Sequence, residues 1–275
     1  MSYKSMTVFL DNSAASSSRL DFALALAAQH DAHLTGLHLS YSPQFYYDPY
    51  AQWAPVMVEW EAGAQKKRDL AKENFRTVAR KSGVNFDWVD YQSTEFKQVV
   101  AQARASDLSI LSQSNPSDLE TDLGEDFPER FVFKLGRPVL FLPHSGVFPK
   151  TFGRIVLAWD GGREAARAMA DAMPLLKQAQ LVTVLTVLEK VDKENDLPDI
   201  DIAAYLAKHD VLVDVDRNED IDVAPADWLL YRAADFKADL IVMGAYGHSR
   251  FTELVLGGAT RAMLKKMTLP VLMSH

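Results

Sequence analysis

The chain has no cysteine among its 275 residues. Disulfide bonds, thiolate nucleophiles and cysteine-ligated zinc or iron–sulfur centres are therefore excluded. Long apolar runs are absent as well, since the first run, residues 6–10, is interrupted by Thr7 and followed by Asp11. Such a run is too short for a signal peptide, and no other run approaches the length of a membrane span. The sequence therefore predicts a cytoplasmic protein.

Positive charge is in deficit. Lys and Arg number 29 against 37 Asp and Glu, which gives a formal net charge of -8 and a pI near 5.4. A general binder of nucleic acid or of anionic membranes would need a basic face, so we expect neither partner. The charge balance is still compatible with a small anionic ligand held by backbone amides.

What the chain does contain is an alternation of strand and helix patterns in each of two halves. Its length suits two domains, each with its own core. Almost wholly apolar strands between amphipathic helices indicate a parallel sheet covered on both faces, so we predict one five-stranded α/β layer per half. The second half supplies RIVLAWD, REAARAMADAMPLLKQA, LVTVLTVLE, DIAAYLAKH, VLVDVD, APADWLLYRAADF, LIVMG, ATRAMLKKM and PVLMSH.

The first half repeats this order with an insertion. Its strands are MTVFLD, LTGLHLS, NFDWVDYQ, DLSILS and PVLFLPH, and SSSRLDFALALAAQH is its first helix. An aromatic segment, residues 41–60, separates the second strand from the next helix. Residues 145–153, SGVFPKTFG, are typical of an interdomain linker. We therefore predict a first domain over residues 1–145 and a second over residues 153–275.

An equal spacing indicates that the halves are copies of one unit. Asp107 precedes Pro138 by 31 residues, and Asp239 precedes Pro270 by the same 31 residues. The C-terminal segments of the two halves can therefore be compared without gaps. A period well above 100 residues is too long for a solenoid repeat, so this is a tandem domain duplication.

The clearest functional pattern is GAYGHSRFTELVLGGAT, residues 244–260. It follows a predicted strand and leads into a predicted helix, an arrangement in which backbone amides and the helix dipole bind phosphate. Ligands of open parallel sheets lie beyond the carboxyl ends of the strands where strand order reverses, so Asp160 and Gly244 are expected to flank one crevice. Taken alone, such glycines are more often turn and cap residues. Side chains able to add hydroxyl or cationic contacts are Ser249, Arg250, Thr260 and Arg261.

This segment resembles the nucleotide loop of the universal stress protein family, with the pattern G-x2-G-x9-G-Ser/Thr. Gly244, Gly247 and Gly257 match it, and the resemblance covers nearly the whole chain, including the Asp after each first strand and the PVL last strand. The resemblance implies two tandem Rossmann-like (adenine nucleotide alpha-hydrolase-like) domains, each a five-stranded parallel sheet with helices on both faces. It also implies a stress-response role, ATP or a related adenine nucleotide as ligand, with or without Mg²⁺, and an internal pseudo-dimer through the last strands, with a homodimer left open.

The resemblance also assigns roles to residues. Asp160 would lie by the adenine or ribose, the backbone of Val187 would meet the adenine edge, the three glycines would wrap the phosphates, and Thr260 would offer a hydroxyl. Gly258 stands where the family has Ser or Thr, so one hydroxyl contact is lost while the amide remains. His248 either approaches a phosphate or is an ordinary surface residue. Ser249 and Arg250 complete the candidate set.

The first half lacks the loop. Its segment SDLETDLGEDFPE carries six carboxylates, and like charges about 4 Å apart repel by about 1 kcal/mol in water and about 4 kcal/mol near a protein surface. We therefore expect no ATP binding through this loop, which is either a solvated surface loop or a protein contact. The equal spacing aligns Gly244, Gly247, Arg250, Gly257, Gly258, Thr260 and Arg261 with Ser112, Asn115, Asp118, Glu125, Asp126, Pro128 and Glu129.

Other candidates carry structural alternatives. Asp11 is predicted to be a helix N-cap, and Asp160 is either an N-cap or a ligand residue. The seven histidines show no metal-ligand spacing, and no Ser/His/Asp set or Gly-x-Ser-x-Gly elbow is present, so we assign no metal site and no catalytic residue. The aromatic insertion either forms an interface or lid or covers its own core; its aromatic residues are Phe45, Tyr46, Tyr47, Tyr50, Trp53 and Trp60.

Three functions are compatible with these patterns. The first is a regulatory protein that binds an adenine nucleotide in its second half. The second is a slow ATP hydrolase, for which no catalytic base is evident beside the expected γ-phosphate. The third is a nucleotide-free interaction module that uses the acidic loop and aromatic insertion. The sequence identifies neither a protein partner nor the stress.

Overall fold

The computed structural model describes residues 2–40, 54–92, 95–115, 117–118, 124, 126–188, 201–219, 223–247 and 258–275. Strands and helices alternate along both halves, as predicted. The first half contains β1 (Ser5–Leu10), α1 (Ala15–His30), β2 (His33–Ser40), α2 (Ala54–Ser82), β3 (Phe86–Gln92), α3 (Phe96–Ala103), β4 (Leu108–Ser112), α4 (Phe127–Leu135) and β5 (Val139–Leu142). The second half contains β6 (Arg154–Trp159), α5 (Arg163–Leu176), β7 (Leu181–Leu188), α6 (Ile202–Ala207), β8 (Val213–Glu219), α7 (Pro225–Asp235), β9 (Leu240–Gly244), α8 (Gly258–Lys266) and β10 (Val271–Ser274).

The chain divides into two compact units. One comprises residues 3–110 and 115–127, and its strands are parallel in the order β3-β2-β1-β4. The other comprises mainly residues 111–114 and 128–275, with strands in the order β5-β10-β9-β6-β7-β8. Its pairs are parallel except β5 with β10, which is antiparallel. The predicted α/β fold with a mostly parallel sheet is confirmed.

Apolar strands supply most of the core. Every residue of β4, β5 and β10 is buried, which matches the near-continuous apolar runs expected of strands covered on both faces. Helix α5 contacts β6, β9 and β10 through a buried face that includes Ala165, Ala168, Met169 and Ala172. These positions recur at the helical period, so the sequence pattern alone places that face against the sheet.

The aromatic insertion differs from the prediction. Helix α2 already begins at Ala54, so residues 54–60 belong to a helix rather than to an irregular segment. Pro55 is compatible with this start because the first helical turn does not use its backbone N–H groups within the helix. The insertion residues 41–53 lie outside the described residues, as does the side chain of Trp60. None of the described helices is both long enough and apolar enough to cross a membrane.

The aligned aspartates play the same structural part in both halves. Asp107 Oδ2 accepts hydrogen bonds from the amides of Lys4 and Ser5, at 2.7 and 3.0 Å. Asp239 Oδ2 accepts from the amides of Gly153 and Arg154, at 2.8 and 2.9 Å. In each half, the aspartate that precedes the fourth strand therefore holds the backbone at the start of the first strand.

The last strands of the two halves pair in an isologous register. Val271 lies opposite Phe141, Leu272 opposite Leu140, and Met273 opposite Val139. Under the alignment set by the equal spacing, Leu140 and Leu272 are equivalent residues, and each lies opposite its own counterpart. Arg261 and Glu129, 132 residues apart, are also counterparts and form a two-oxygen ion pair at 2.9 and 3.0 Å. Within the second unit, these two contacts therefore join equivalent residues of the two halves.

The Asp239 anchor generates a stability prediction. Asp239→Ala leaves the amides of Gly153 and Arg154 without their shared acceptor. A hydrogen bond to a charged group contributes about 1.5–3 kcal/mol to stability. We expect the free energy of unfolding, measured by urea denaturation, to fall by about that amount. Glu73→Ala on the exposed face of α2 serves as the control. Equal losses in the two variants would contradict the anchoring role.

Candidate functional site

The crevice lies where strand order reverses in the second half. β6 has β7 on one side and β9 on the other, and all three run parallel. The connections that follow β6 and β9 therefore leave the same edge of the sheet in opposite directions, which opens a crevice at the carboxyl ends. Asp160 directly follows β6, and Gly244 is the last residue of β9.

Asp160 lies in a tight turn before α5. Its Oδ1 accepts a hydrogen bond of 2.8 Å from the amide of Gly162, and Gly161 between them has φ +73°. A φ in this region favours glycine, which explains Gly161. The N-cap of α5 is Gly162, and the side chain of Asp160 is two residues further out and exposed. The N-cap alternative for Asp160 is therefore wrong, and its carboxylate borders the crevice.

Gly244 is required by packing between backbones. A Cβ on Gly244 would lie 2.8 Å from Ala165 N and 2.8 Å from the carbonyl carbon of Glu164. Real Cβ atoms do not approach backbone this closely, so any side chain here would push β9 away from the first turn of α5. The primary reason for this glycine is thus close strand–helix contact, which holds whether or not a ligand binds.

Gly247 lies against two carboxylates. The position of a Cβ on Gly247 is 3.5 Å from Glu164 Oε2 and 3.7 Å from Asp160 Oδ2. These are ordinary van der Waals distances, and the φ of Gly247 is not in the left-handed region. The structure therefore brings together three predicted residues, Asp160, Gly244 and Gly247, and adds a fourth, Glu164, that the sequence analysis did not select.

Glu164 is a buried carboxylate in the first turn of α5. Its side chain is 6% exposed, and Oε1 accepts a hydrogen bond from Arg163 Nε. Burial on its own raises the pKa of Glu164, but the hydrogen bond and charge of Arg163, with the charge of His275, bring the pKa below its usual value. Glu164 is therefore ionised at neutral pH. The helical period could have identified it, because Glu164 lies four residues before Ala168 on the buried face.

Hydrogen bonds hold the residues at the start of the glycine loop (residues 244–260). The buried hydroxyl of Thr260 accepts a 3.0 Å hydrogen bond from the amide of Tyr246, whose φ is +56°. His275 Nδ1 lies 2.9 Å from the carbonyl oxygen of Ala245. Thr260, predicted as a phosphate contact, is engaged here in holding a non-glycine residue in the left-handed region, which carries a strain cost.

The aromatic ring of Tyr246 packs against the first half. Phe133 of α4 stacks on His275 at 4.7 Å and meets Tyr246 edge-on at 5.3 Å. Burial, together with the negative charge of Glu129, raises the pKa of Tyr246 to about 12, although Arg261 acts in the opposite direction. Glu129 also raises the pKa of Arg261. Arg261, considered as a phosphate contact, points instead to its counterpart in the other half.

The remaining predicted residues are placed in part. The pairing of β7 with β6 ends at Thr186 opposite Trp159, so Val187 lies one residue beyond the end of β6. On its other side, β7 pairs with β8, where Val187 lies opposite Asn218. Gly258 is the exposed first residue of α8. His248, Ser249, Arg250 and Gly257 lie outside the described residues. Within the described ranges, no group of three or more His, Asp or Glu side chains is arranged to hold a metal ion.

The equivalent position in the first half is closed. Asp11 Oδ1 accepts a 2.7 Å hydrogen bond from Arg19 Nη2, and the two side chains are 2% and 1% exposed. The N-cap of α1 is Ala14, so the predicted capping role of Asp11 is wrong. Aligned on Asp11 and Asp160, Arg19 corresponds to Ala168, which carries no charge. Arg19 was not predicted as a functional residue, although a lone arginine between apolar helical positions is a signal that could have identified it.

The acidic segment of the first half also supplies an internal anion. Asp118 Oδ2 accepts a 3.0 Å hydrogen bond from the amide of Ala14, at the N-terminus of α1. Asp118 is aligned with Arg250 of the second half. A carboxylate at a helix N-terminus satisfies the amides and the dipole that would otherwise attract an anionic ligand.

The two glycines of the crevice are expected to respond differently to a methyl group. Gly244→Ala forces backbone apart and should lower the free energy of unfolding by about 1–3 kcal/mol. Gly247→Ala meets only ordinary contacts, so its stability should stay within about 0.5 kcal/mol of the parent. Urea denaturation of both variants measures this difference. A Gly244→Ala variant as stable as Gly247→Ala would show that the close contact is not required.

The Asp11–Arg19 pair generates a prediction with a pH dependence. Removing one partner of a buried ion pair costs about 3–5 kcal/mol, so Arg19→Ala should destabilise the protein strongly at pH 7. Burial on its own raises the pKa of Asp11, but the charge of Arg19 and hydrogen bonds from Ser13 and Arg19 lower it overall. A lowered pKa contributes stability above the unfolded-state value, and this contribution is lost as the pH falls through the folded-state value.

In Arg19→Ala, burial without a counter-charge raises the pKa of Asp11, so acidification protonates it and relieves the penalty. The stability gap between parent and variant should therefore narrow as the pH falls from 7 towards 4, as denaturation at several pH values would show. The double variant Asp11→Asn with Arg19→Met leaves no buried charge and should recover most of the loss. A gap that is constant with pH would contradict the ion-pair account.

Comparison with known proteins agrees with this architecture. The model of a family described as the universal stress protein family matches residues 2–111 and 151–275. Universal stress protein Slr1230 from Synechocystis sp. is 28% identical over 148 residues, which are 52% of this chain and 49% of that protein. The chain thus spans about half the length of that curated relative.

Solved structures share the fold over almost the whole chain. A universal stress protein from Archaeoglobus fulgidus DSM 4304 superimposes with a TM-score of 0.76 at 14% identity, covering 98% of this chain and 95% of that one. The functionally unknown protein PA1789 from Pseudomonas aeruginosa PAO1 gives 0.62 at 16% identity, covering 99% and 92%. At these identities the likeness concerns the fold alone. Two family matches in tandem account for most of the sequence, and the chain belongs to the universal stress protein family.

Proposed function

We propose that the second half binds ATP or a related adenine nucleotide in the crevice between β6 and β9, and that binding regulates the protein in a stress response. Family membership supports the stress-related role. The observation that carries the proposal is the contrast between the two copies of the crevice. Asp160 is exposed at a strand end beside Gly247, whereas its counterpart Asp11 is buried and neutralised by Arg19.

The proposed contacts combine the family resemblance with the positions of the strand ends that border the crevice. The amides that begin at Gly244 and the N-terminus of α8 would hold the phosphates, and Asp160 would accept hydrogen bonds from the ribose. Val187, one residue beyond the end of β6, would offer its backbone to the adenine. His248, Ser249, Arg250, Gly257, Gly258 and Thr260 complete the proposed site, with Mg²⁺ as an accompanying ion of the phosphates.

The first half would serve as a degenerate partner domain. The isologous β5–β10 register and the Glu129–Arg261 pair support an internal pseudo-dimer. Phe133 and Glu129, both from the first half, contact or influence Tyr246 at the start of the glycine loop. A change in the position of Tyr246 on nucleotide binding would therefore alter its contacts with α4 of the first half. A cytoplasmic location is part of this proposal.

The direct test is the nucleotide content of the protein as purified. Denaturation followed by mass spectrometry should release about one adenine nucleotide per chain, or calorimetry should show one site for added ATP with magnesium. Gly247→Glu adds a third carboxylate beside Asp160 and Glu164 and should abolish binding, whereas Gly247→Ala should not abolish it. Asn115→Glu, at the aligned position of the first half, is the matched control and should leave the ratio unchanged.

Three outcomes are informative. Loss in Gly247→Glu alone supports a single site in the second half. Equal loss in Asn115→Glu would place binding elsewhere or in both halves. Absence of any nucleotide, with no calorimetric binding of AMP or ATP at millimolar concentration, would overturn the proposal and leave the glycines as packing residues.

A further inference from the structure

We propose that Glu164 is a specificity-determining residue of the crevice, one that favours nucleotides with few phosphate charges, such as AMP, over ATP. This inference rests on the proposed function. It concerns a residue that no motif identifies, and it predicts which adenine nucleotide the site prefers.

Glu164 is fixed rather than free to turn away from a ligand. It lies in the first turn of α5, its side chain is 6% exposed, and the backbone of Gly244 packs on its Cβ and carbonyl carbon. Arg163, 78% exposed, holds Oε1 from the solvent side. The other oxygen, Oε2, is 3.5 Å from the Cβ position of Gly247, where the proposed phosphate loop begins.

Asp160 adds a second carboxylate to the same wall. Its Oδ2 is 3.7 Å from the Cβ position of Gly247, and its Oδ1 is engaged by the amide of Gly162. Two carboxylates on one wall accept hydrogen bonds from hydroxyl groups, such as those of a ribose, but repel phosphate oxygens. The exposed guanidinium of Arg163 offsets this charge less effectively because solvent screens it.

The carboxylate of Glu164 is particular to the second half. Aligned on Asp11 and Asp160, Glu164 corresponds to Ala15, which has no charge. A general need of the fold for an acid at the start of this helix would have placed one in both halves. The proposed selection against ATP is therefore specific to the crevice of the second half.

The test measures how affinity depends on the number of phosphate charges of the ligand, with and without the charge of Glu164. Calorimetry is performed with adenosine, AMP and ATP, in EDTA so that no divalent cation neutralises the phosphates, on the parent, Glu164→Gln and Asp171→Asn. Asp171 lies two turns further along the same helix and controls for a general change of net charge. Thermal unfolding of each variant checks that the fold is retained.

The parent should bind AMP at least as tightly as ATP. Glu164→Gln should raise the affinity for ATP by about tenfold, the affinity for AMP by less, and that for adenosine hardly at all, because the repulsion removed grows with ligand charge. Asp171→Asn should change all three by less than about twofold, since its carboxylate lies two turns from Glu164 along α5 and is paired with Arg167.

Either of two results would overturn the inference while leaving the proposed function intact. One is a parent that binds ATP tenfold more tightly than AMP in EDTA, a measurement that needs no variant. The other is an equal response of ATP and AMP to Glu164→Gln. Absence of binding by all three ligands would instead overturn the proposed function and this inference together.

Discussion

The structure of the crevice depends on one close contact, that of Gly244 at the end of β9 with the first turn of α5. With no side chain between them, the strand and the helix approach until a Cβ position lies 2.8 Å from two backbone atoms. That approach carries the following residues over the helix N-terminus and sets Gly247 against Asp160 and Glu164. A larger residue at 244 would separate strand and helix, and Gly247 would no longer lie against Asp160 and Glu164.

The duplication kept the scaffold and diverged at the edge of the sheet where the parallel strands end. Both copies keep the same strand order and the same aspartate anchor, Asp107 in the first and Asp239 in the second. Their last strands, β5 and β10, pair with each other through equivalent residues. At the carboxyl ends, by contrast, the first copy buries an Arg19–Asp11 pair where the second has Ala168 and an exposed Asp160. Scaffold contacts are determined by backbone hydrogen bonds and apolar packing that both copies keep, whereas at this edge each copy avoids an unpaired buried charge in its own way, the first with the Asp11–Arg19 pair and the second with Ala168 and an exposed Asp160. The edge could therefore change without loss of the fold.

The sequence was sufficient for the fold and for part of the site. Apolar strands, helical periodicity and the equal 31-residue spacing predicted the order of elements, and the strand-end rule predicted that Asp160 and Gly244 would flank one crevice. Side-chain partners were less accessible, because they depend on which faces meet. Glu164 and Arg19 were missed since each is a single charged residue within a helix pattern. The capping role assigned to Asp11 failed because its side chain pairs with Arg19 and the N-cap of α1 is Ala14.

We propose that only one of the two crevices, that of the second half, binds a ligand. Hydrogen–deuterium exchange with and without saturating AMP or ATP tests it most directly, because peptides from both halves are read in one experiment. We expect slower exchange in peptides covering residues 158–165 and 244–260, and unchanged exchange in those covering residues 8–20 and 112–126. Equal protection in both halves, or protection confined to the first, would contradict it.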